Sequence, residues 1–98
     1  MISLIRPEVL HLKSLGPLPN NQASAETVES YNTLLRGLIP PVSDQEAEIL
    51  AELFGVDDCY GMAWALVHLI ELAPNWPIEK VLVKDNYWIR LLKRKAGV

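Results

Sequence analysis

The chain has 98 residues, half of them hydrophobic and 21% charged, and its formal net charge is −3. This balance excludes a disordered chain and fits one folded domain spanning residues 1–98. The single cysteine, Cys59, excludes an intrachain disulfide and a cysteine-rich zinc site. No apolar run reaches the ~18 residues of a membrane span. We therefore expect a cytoplasmic protein with no secretion signal and no membrane contact.

The first part of the chain contains two predicted helices separated by turn formers at residues 16–21. One is expected over residues 7–15, because it begins with a proline, which suits the first helical turn, and is followed by a glycine. The other is expected over residues 25–36, with Ser24 as its N-cap. A double proline at residues 40–41 cannot continue this second helix.

The third predicted helix is the most clearly marked. Ser43 and Glu46 have the spacing of a capping box, in which each side chain accepts a hydrogen bond from the other residue's backbone N–H. Gly55 is the expected end of the helix. The apolar positions between follow the i, i+3, i+4, i+7 pattern of one helical face: Ala47, Leu50, Ala51 and Phe54.

The fourth helix, expected over about residues 58–73, is apolar almost all round, which is typical of a helix in the middle of a bundle. Asp57 is its expected cap and Pro74 its stop. We expect Trp64 in the core, together with Leu50, Phe54, Leu66 and Ile70.

Residues 78–83 fit either a helical turn or a short extended piece. Asp85 or Asn86 then caps a last helix that reaches about Lys95. No run alternates strictly enough to predict a strand. The predicted fold class is therefore all-α, a compact bundle of four to five short helices around the apolar helix at 58–73.

Catalytic chemistry would have to come from Cys59, His68 and Glu71. Cys59 lies in the first turn of its predicted helix, where a thiol pKa is lowered. His68, nine residues on, lies on the opposite side and ~13 Å further along the helix. The carboxylates of Asp57 and Asp58 also disfavour a thiolate. His68 and Glu71 together supply only two metal ligands, so we expect no catalytic residue, no metal and no cofactor.

Charge is distributed unevenly along the chain. Residues 26–58 contain eight acids and one base, whereas residues 80–95 contain six bases and one acid. Asp44, Glu48 and Glu52 form one ridge of the third helix, ~100° from its apolar stripe, and are expected to be exposed. This acidic ridge is predicted to contact a basic surface of a protein partner. The alternative is that these acids only suit the helix dipoles.

The start of the fourth helix, with Asp57 and Asp58, would extend the acidic contact surface. Along that helix Trp64, His68 and Glu71 follow at heptad spacing, which favours a second contact edge. Nucleic acid is not an expected partner, because only the C-terminal cations could bind phosphate.

Residues 40–77 resemble a motif of small uncharacterised bacterial proteins. The resemblance is carried by PVSDQEA at 41–47, LFGVDDCYG at 53–61 and the run from Trp64 through HLIE at 68–71 to PNWP at 74–77. In size, acidity and lack of catalytic residues the chain is similar to immunity proteins. That similarity implies neutralisation of a bacterial toxin by stoichiometric occlusion.

The sequence thus predicts a non-enzymatic protein-binding module of the immunity-protein type. One alternative is a homodimeric structural or regulatory module, because three tryptophans and an apolar fourth helix exceed what a small core hides. The other is a small enzyme that uses Cys59, His68 and Glu71.

Overall fold

The computed structural model describes residues 5–19, 22–55, 61–83 and 86–97. Within these ranges there are helices and no strands, so the predicted all-α class is confirmed. Residues 78–83, which fitted either a helical turn or an extended piece, contain a single helical turn. The six helices are α1 (Pro7–Leu15), α2 (Ala25–Arg36), α3 (Asp44–Ala51), α4 (Met62–Glu71), α5 (Glu79–Leu82) and α6 (Tyr87–Ala96).

Helices α3 and α4 form the middle of the bundle. α3 packs against α1, α4 and α5, while α4 packs against α3 and α6. α2 covers the far side of α1, and α5 contacts α6. Among the described residues, no helix has the length and apolar character needed to cross a membrane.

Side-chain caps fix the start of three helices, as the sequence predicts. Ser24 accepts a hydrogen bond from the backbone of Thr27 at the start of α2. The capping box of α3 is complete, and Asn86 accepts the N–H of Ile89 at the start of α6, at 2.9 Å. Each cap satisfies a backbone donor that has no partner inside its helix.

The prediction that Gly55 ends α3 is wrong. The helix ends at Ala51, and Glu52 follows as a C-cap in the right-handed region. The N–H of Leu18 donates to the Leu53 carbonyl at 2.8 Å, so the chain after α1 lies against the chain after α3. A Cβ on residue 55 would clash with the Leu18 carbonyl. The close approach of two backbones therefore explains this glycine.

α4 is shorter than predicted and is buried on one side only. It begins after Gly61, whose φ is +87°; residues 56–60, with the predicted cap Asp57, lie outside the described residues. Trp64, His68 and Leu72, spaced four residues apart, are exposed. The predicted core position of Trp64 is wrong, since 39% of its surface is exposed. The inner side consists of Met62, Ala63, Leu66, Val67, Leu69 and Ile70.

Candidate functional site

The acidic ridge is only partly exposed. Glu52 is exposed as predicted, but Asp44 and Glu48 are half-buried. The carboxylate of Asp44 accepts hydrogen bonds from the backbone N–H of Asn75, at 3.1 Å, and from its side-chain amide. The turn after α4 thus folds back over the start of α3. The sequence could not place this turn, so the predicted exposure of Asp44 was wrong. The predicted exposure of Glu48 was wrong as well, since its side chain is half-buried.

The rest of the ridge faces lysines of the same chain. A groove of about 400 Å³ between α1, α3 and α5 is lined by Glu48 and Glu52 together with Lys13 and Lys80. The amine of Lys80 lies 3.9 Å from the Glu48 carboxylate. A basic partner surface would therefore compete with positive charges that this chain already supplies.

Glu46 does more than close the capping box, and its second role was not predicted from the sequence. It is 2% exposed, and its carboxylate accepts hydrogen bonds from the backbone N–H of Arg6 at 3.0 Å and from the guanidinium Nε at 2.9 Å. The same guanidinium also donates to the carbonyl of Ile39 at 2.8 Å. Arg6 thereby joins the start of α1 to the segments before and within α3.

The pKa of Glu46 reflects these contacts. Burial raises it, because a buried carboxylate loses hydration. The hydrogen bonds from the Arg6 side chain and from the backbone of Ser43 and Arg6, with the guanidinium charge, outweigh burial and hold the pKa below its ordinary value.

The residues of the second predicted contact edge, Trp64, His68 and Glu71, differ in their exposure. Asp57, Asp58 and Cys59 lie outside the described residues. His68 is exposed, whereas Glu71 is half-buried and forms an ion pair with Lys95 at 2.9 Å. Within the described parts of the chain, no group of three histidine, cysteine or acidic side chains could hold a metal ion.

α4 and α6 lie side by side and run in the same direction. Near their starts, the rings of Trp64 and Trp88 meet edge to face with centroids 5.2 Å apart. Near their ends, Glu71 pairs with Lys95. The two contacts are seven positions apart on α4 and seven positions apart on α6, which is about two helical turns. The helices are therefore parallel.

Trp88 supports an aromatic cluster that reaches the surface. It is 5% exposed and stacks on Phe54 with an interplanar angle of 13° and centroids 6.0 Å apart. Besides Trp64, the ring of Tyr87 packs edge-on against it at 5.1 Å. Trp64 and Tyr87 remain 39% and 58% exposed, so both present an apolar surface to solvent while held by a buried ring.

The outer side of α6 continues this surface. Arg90 and Arg94 are exposed and follow Tyr87 at three and seven residues, on the side opposite the buried Leu92. No contact was predicted at these two arginines, although their spacing in the sequence places them opposite the buried positions of the helix. We use the name aromatic face for the exposed side chains Trp64, His68, Tyr87, Arg90 and Arg94.

Among the further grooves on the described surface, two are larger than the one beside the acidic ridge. One of about 490 Å³, between α1 and α2, is lined by His11 with Glu26 and Glu29. The other, of about 510 Å³, is mostly apolar and is lined by residues of α5 and its surroundings, Pro77, Glu79, Leu82 and Val83, and by Lys93.

Comparisons of the chain with protein families, with curated proteins and with solved structures each found no match. The resemblance of residues 40–77 to small bacterial proteins and the similarity to immunity proteins stay predictions.

Proposed function

We propose that this protein is a non-enzymatic protein-binding module whose contact surface is the aromatic face. The observation that carries the proposal is an exposed Trp64 and Tyr87, both packed against the buried ring of Trp88. Tryptophan, tyrosine and arginine are the residue types that dominate binding energy at protein interfaces. Rings that are already held in place lose little conformational freedom on binding.

The acidic ridge is a weaker candidate for this contact surface. Asp44 is hydrogen-bonded to Asn75, and Glu48 faces Lys80. A basic partner would have to replace contacts that already exist. Glu71, from the second predicted edge, is likewise engaged by Lys95, which leaves Trp64 and His68 of that edge for a partner.

The specific form of the proposal is an immunity protein that neutralises a bacterial toxin in the cytoplasm by covering its functional surface. Its support is the chain's small size and acidity. A toxin gene immediately upstream, and loss of that toxin's activity at one equivalent of this protein, are the expected results. An isolated locus in bacteria that secrete no toxins would contradict this form without affecting the broader one.

Photo-crosslinking in cells tests the contact surface. We expect a crosslinking residue at Tyr87 to trap a protein partner, and the same residue at Ile39, an apolar side chain that is 74% exposed, to trap none. With the purified partner, W64A should weaken binding about thirtyfold in calorimetry, which corresponds to ~2 kcal/mol for a central interface residue. I39A is the matched control and should leave the affinity unchanged. Equal effects of W64A and I39A would contradict the proposal.

A homodimer is the second candidate. Leu72 and Val83 are 52% and 71% exposed, so both side chains are available for contact with a second copy. Its test is whether the mass in solution rises from monomer to dimer with concentration. We do not propose the enzyme alternative, because Glu71, one of its three residues, is engaged in an ion pair with Lys95.

A further inference from the structure

We infer that the groove between α1 and α2 binds a basic, amphipathic segment of a protein partner, with its cations against Glu26 and Glu29 and its apolar side chains against the leucines of the groove. We call this surface the acidic groove. The inference does not depend on the aromatic face. α2 packs on α1, whereas α6 packs on α4 and α5, so the middle of the bundle separates the two surfaces.

The walls of the acidic groove are built from one side of each helix. α1 contributes His11 and Leu15, which are one turn apart, and Leu15 is 40% exposed. α2 contributes residues 26, 29, 30 and 33, the i, i+3, i+4 and i+7 positions of a single face, together with Leu34. Most of the surface that lines this groove of about 490 Å³ is apolar. The acidic groove is therefore an apolar surface with carboxylates along one wall.

The engagement of the other acids carries the inference. Residues 26–58 contain eight acids and one base. Of the six acids that the structure describes there, four have interactions within the chain: Asp44, Glu46, Glu48 and Glu52. Within the described parts of the chain, neither Glu26 nor Glu29 forms an ion pair. Among the described acids of this segment, the charge still available to a partner therefore lies in the acidic groove.

The helix dipole accounts for only one of these two acids. Glu26 lies in the first turn of α2, where the helix end favours a negative charge. Glu29 lies beyond that turn, and its carboxylate accepts a long hydrogen bond, at 3.4 Å, from the hydroxyl of Thr33. A neutral donor at this distance leaves the negative charge unmatched. A cation of a partner would match it.

Charge also distinguishes among the possible occupants. A second copy bound through the same groove about a two-fold axis would bring carboxylates toward carboxylates, and a nucleic acid would bring phosphates toward them. A free polyamine would match the charge but leave Leu15 and Leu34 uncovered. A basic amphipathic helix matches both, since its i, i+3, i+4 and i+7 anchors extend over the two helical turns that α2 contributes.

Peptide binding provides the test. The probe is a fluorescent helical peptide of about sixteen residues with leucines at i, i+3, i+4 and i+7 spacing and lysines elsewhere. The comparison probes are the same peptide with glutamate at every lysine, and spermine as a competitor. We expect the lysine peptide to bind, more weakly as salt rises from about 50 to about 300 mM. We expect the glutamate peptide not to bind, and spermine at about 1 mM not to displace the lysine peptide.

Charge reversal tests the carboxylate wall. E29K should weaken binding of the lysine peptide about tenfold, since it places an ammonium group where those of the peptide bind. E79K makes the same change of charge at an exposed acid of α5 and should alter the affinity less than twofold.

Truncation tests the apolar wall. L15A should weaken binding about fivefold, because it removes apolar contact area. L10A shortens another leucine of α1, which is 49% exposed and does not line the groove, and should alter the affinity less than twofold. Equal losses in E29K and E79K, or in L15A and L10A, would overturn the inference. Binding of the glutamate peptide, displacement by spermine, or no binding of the lysine peptide below about 1 mM would overturn it as well.

W64A separates the acidic groove from the aromatic face. We expect this variant to bind the lysine peptide as tightly as the wild type does. If W64A abolishes the binding and E29K leaves it unchanged, the lysine peptide binds to the aromatic face, so the inference is wrong and the proposed function is supported.

Discussion

At the scale of single residues, Glu46 shows how much a local pattern can predict. Its spacing from Ser43 predicts the capping box, because both partners lie within one helical turn. Its pairing with Arg6 could not be predicted, because the two residues are 40 positions apart and no periodicity links them. Glu46 is also the one fully buried charged side chain among the described residues.

Replacing Glu46 by glutamine should destabilise the fold by about 2–3 kcal/mol, because the Arg6 guanidinium loses its charged partner in a largely dry environment. The Arg6 side chain is 34% exposed, and its contact with water keeps the cost below that of a fully buried pair. Urea unfolding of E46Q measures the change. E29Q, at an exposed acid of α2, is the control and should stay within about 0.5 kcal/mol of wild type.

The same pair of proteins should respond differently to pH. The folded-state pKa of Glu46 lies below its ordinary value of 4.5, so its contribution to stability is complete above that value and is lost as pH falls through the folded-state pKa. The difference in unfolding free energy between wild type and E46Q should therefore shrink between about pH 6 and about pH 3. A difference that is constant or grows on acidification would contradict the assigned pairing.

At the scale of helices, the boundaries of α1, α2 and α6 follow from caps and breakers that lie next to each other in the sequence. The exposure of a residue at the edge of a helical face does not follow from such local signals. Trp64 is a large apolar residue of the kind expected in a core. Other side chains fill the inner side of α4, so Trp64 lies at the edge of the buried face. Gly55 likewise was assigned to a helix end when its reason is a backbone from elsewhere in the chain.

Substitution of Gly55 by alanine tests that reason. The new methyl group would clash with the Leu18 carbonyl, and two backbone segments would have to separate, so we expect a loss of about 2 kcal/mol or more. G37A is the matched control, since residue 37 has a right-handed conformation and a methyl group there would make ordinary contacts at 3.5 Å. It should be neutral or stabilise by about 0.5 kcal/mol in thermal unfolding. Equal losses in both variants would contradict the close approach.

At the scale of the whole molecule, the fold class and the inner faces of the helices could be predicted, whereas only Trp64 and His68 of the candidate site were among the predicted contact residues. Hydrophobic periodicity assigns which side of a helix is buried, and it did so for Leu50, Leu66 and Ile70. The surface depends on which elements meet. In the acidic ridge, Asp44 is hydrogen-bonded to Asn75 and Glu48 lies near Lys80. In the aromatic face, the ring of Trp64 packs against Trp88, which lies 24 positions later in the sequence.

Charge reversal tests whether Asp44 and Glu48 of the acidic ridge stabilise the fold. D44K/E48K should lower the unfolding free energy by about 1–3 kcal/mol, because Asp44 loses its hydrogen bonds to Asn75 and a lysine at 48 would face Lys80. E26K/E29K, which makes the same charge change on the exposed side of α2, should cost less than about 1 kcal/mol. Equal stability of the two double variants would contradict a stabilising role of Asp44 and Glu48 in the fold.

The parallel arrangement of α4 and α6 has a consequence for the order in which the chain folds. Because both helices run in the same direction, the chain that leaves α4 must return along its length before α6 can begin, and α5 is part of that return. Closing this loop costs more entropy than joining neighbours such as α3 and α4. We therefore expect α6 to dock late. A partner that recognises the aromatic face would then bind only chains that have finished folding, and each complex would contain a complete molecule.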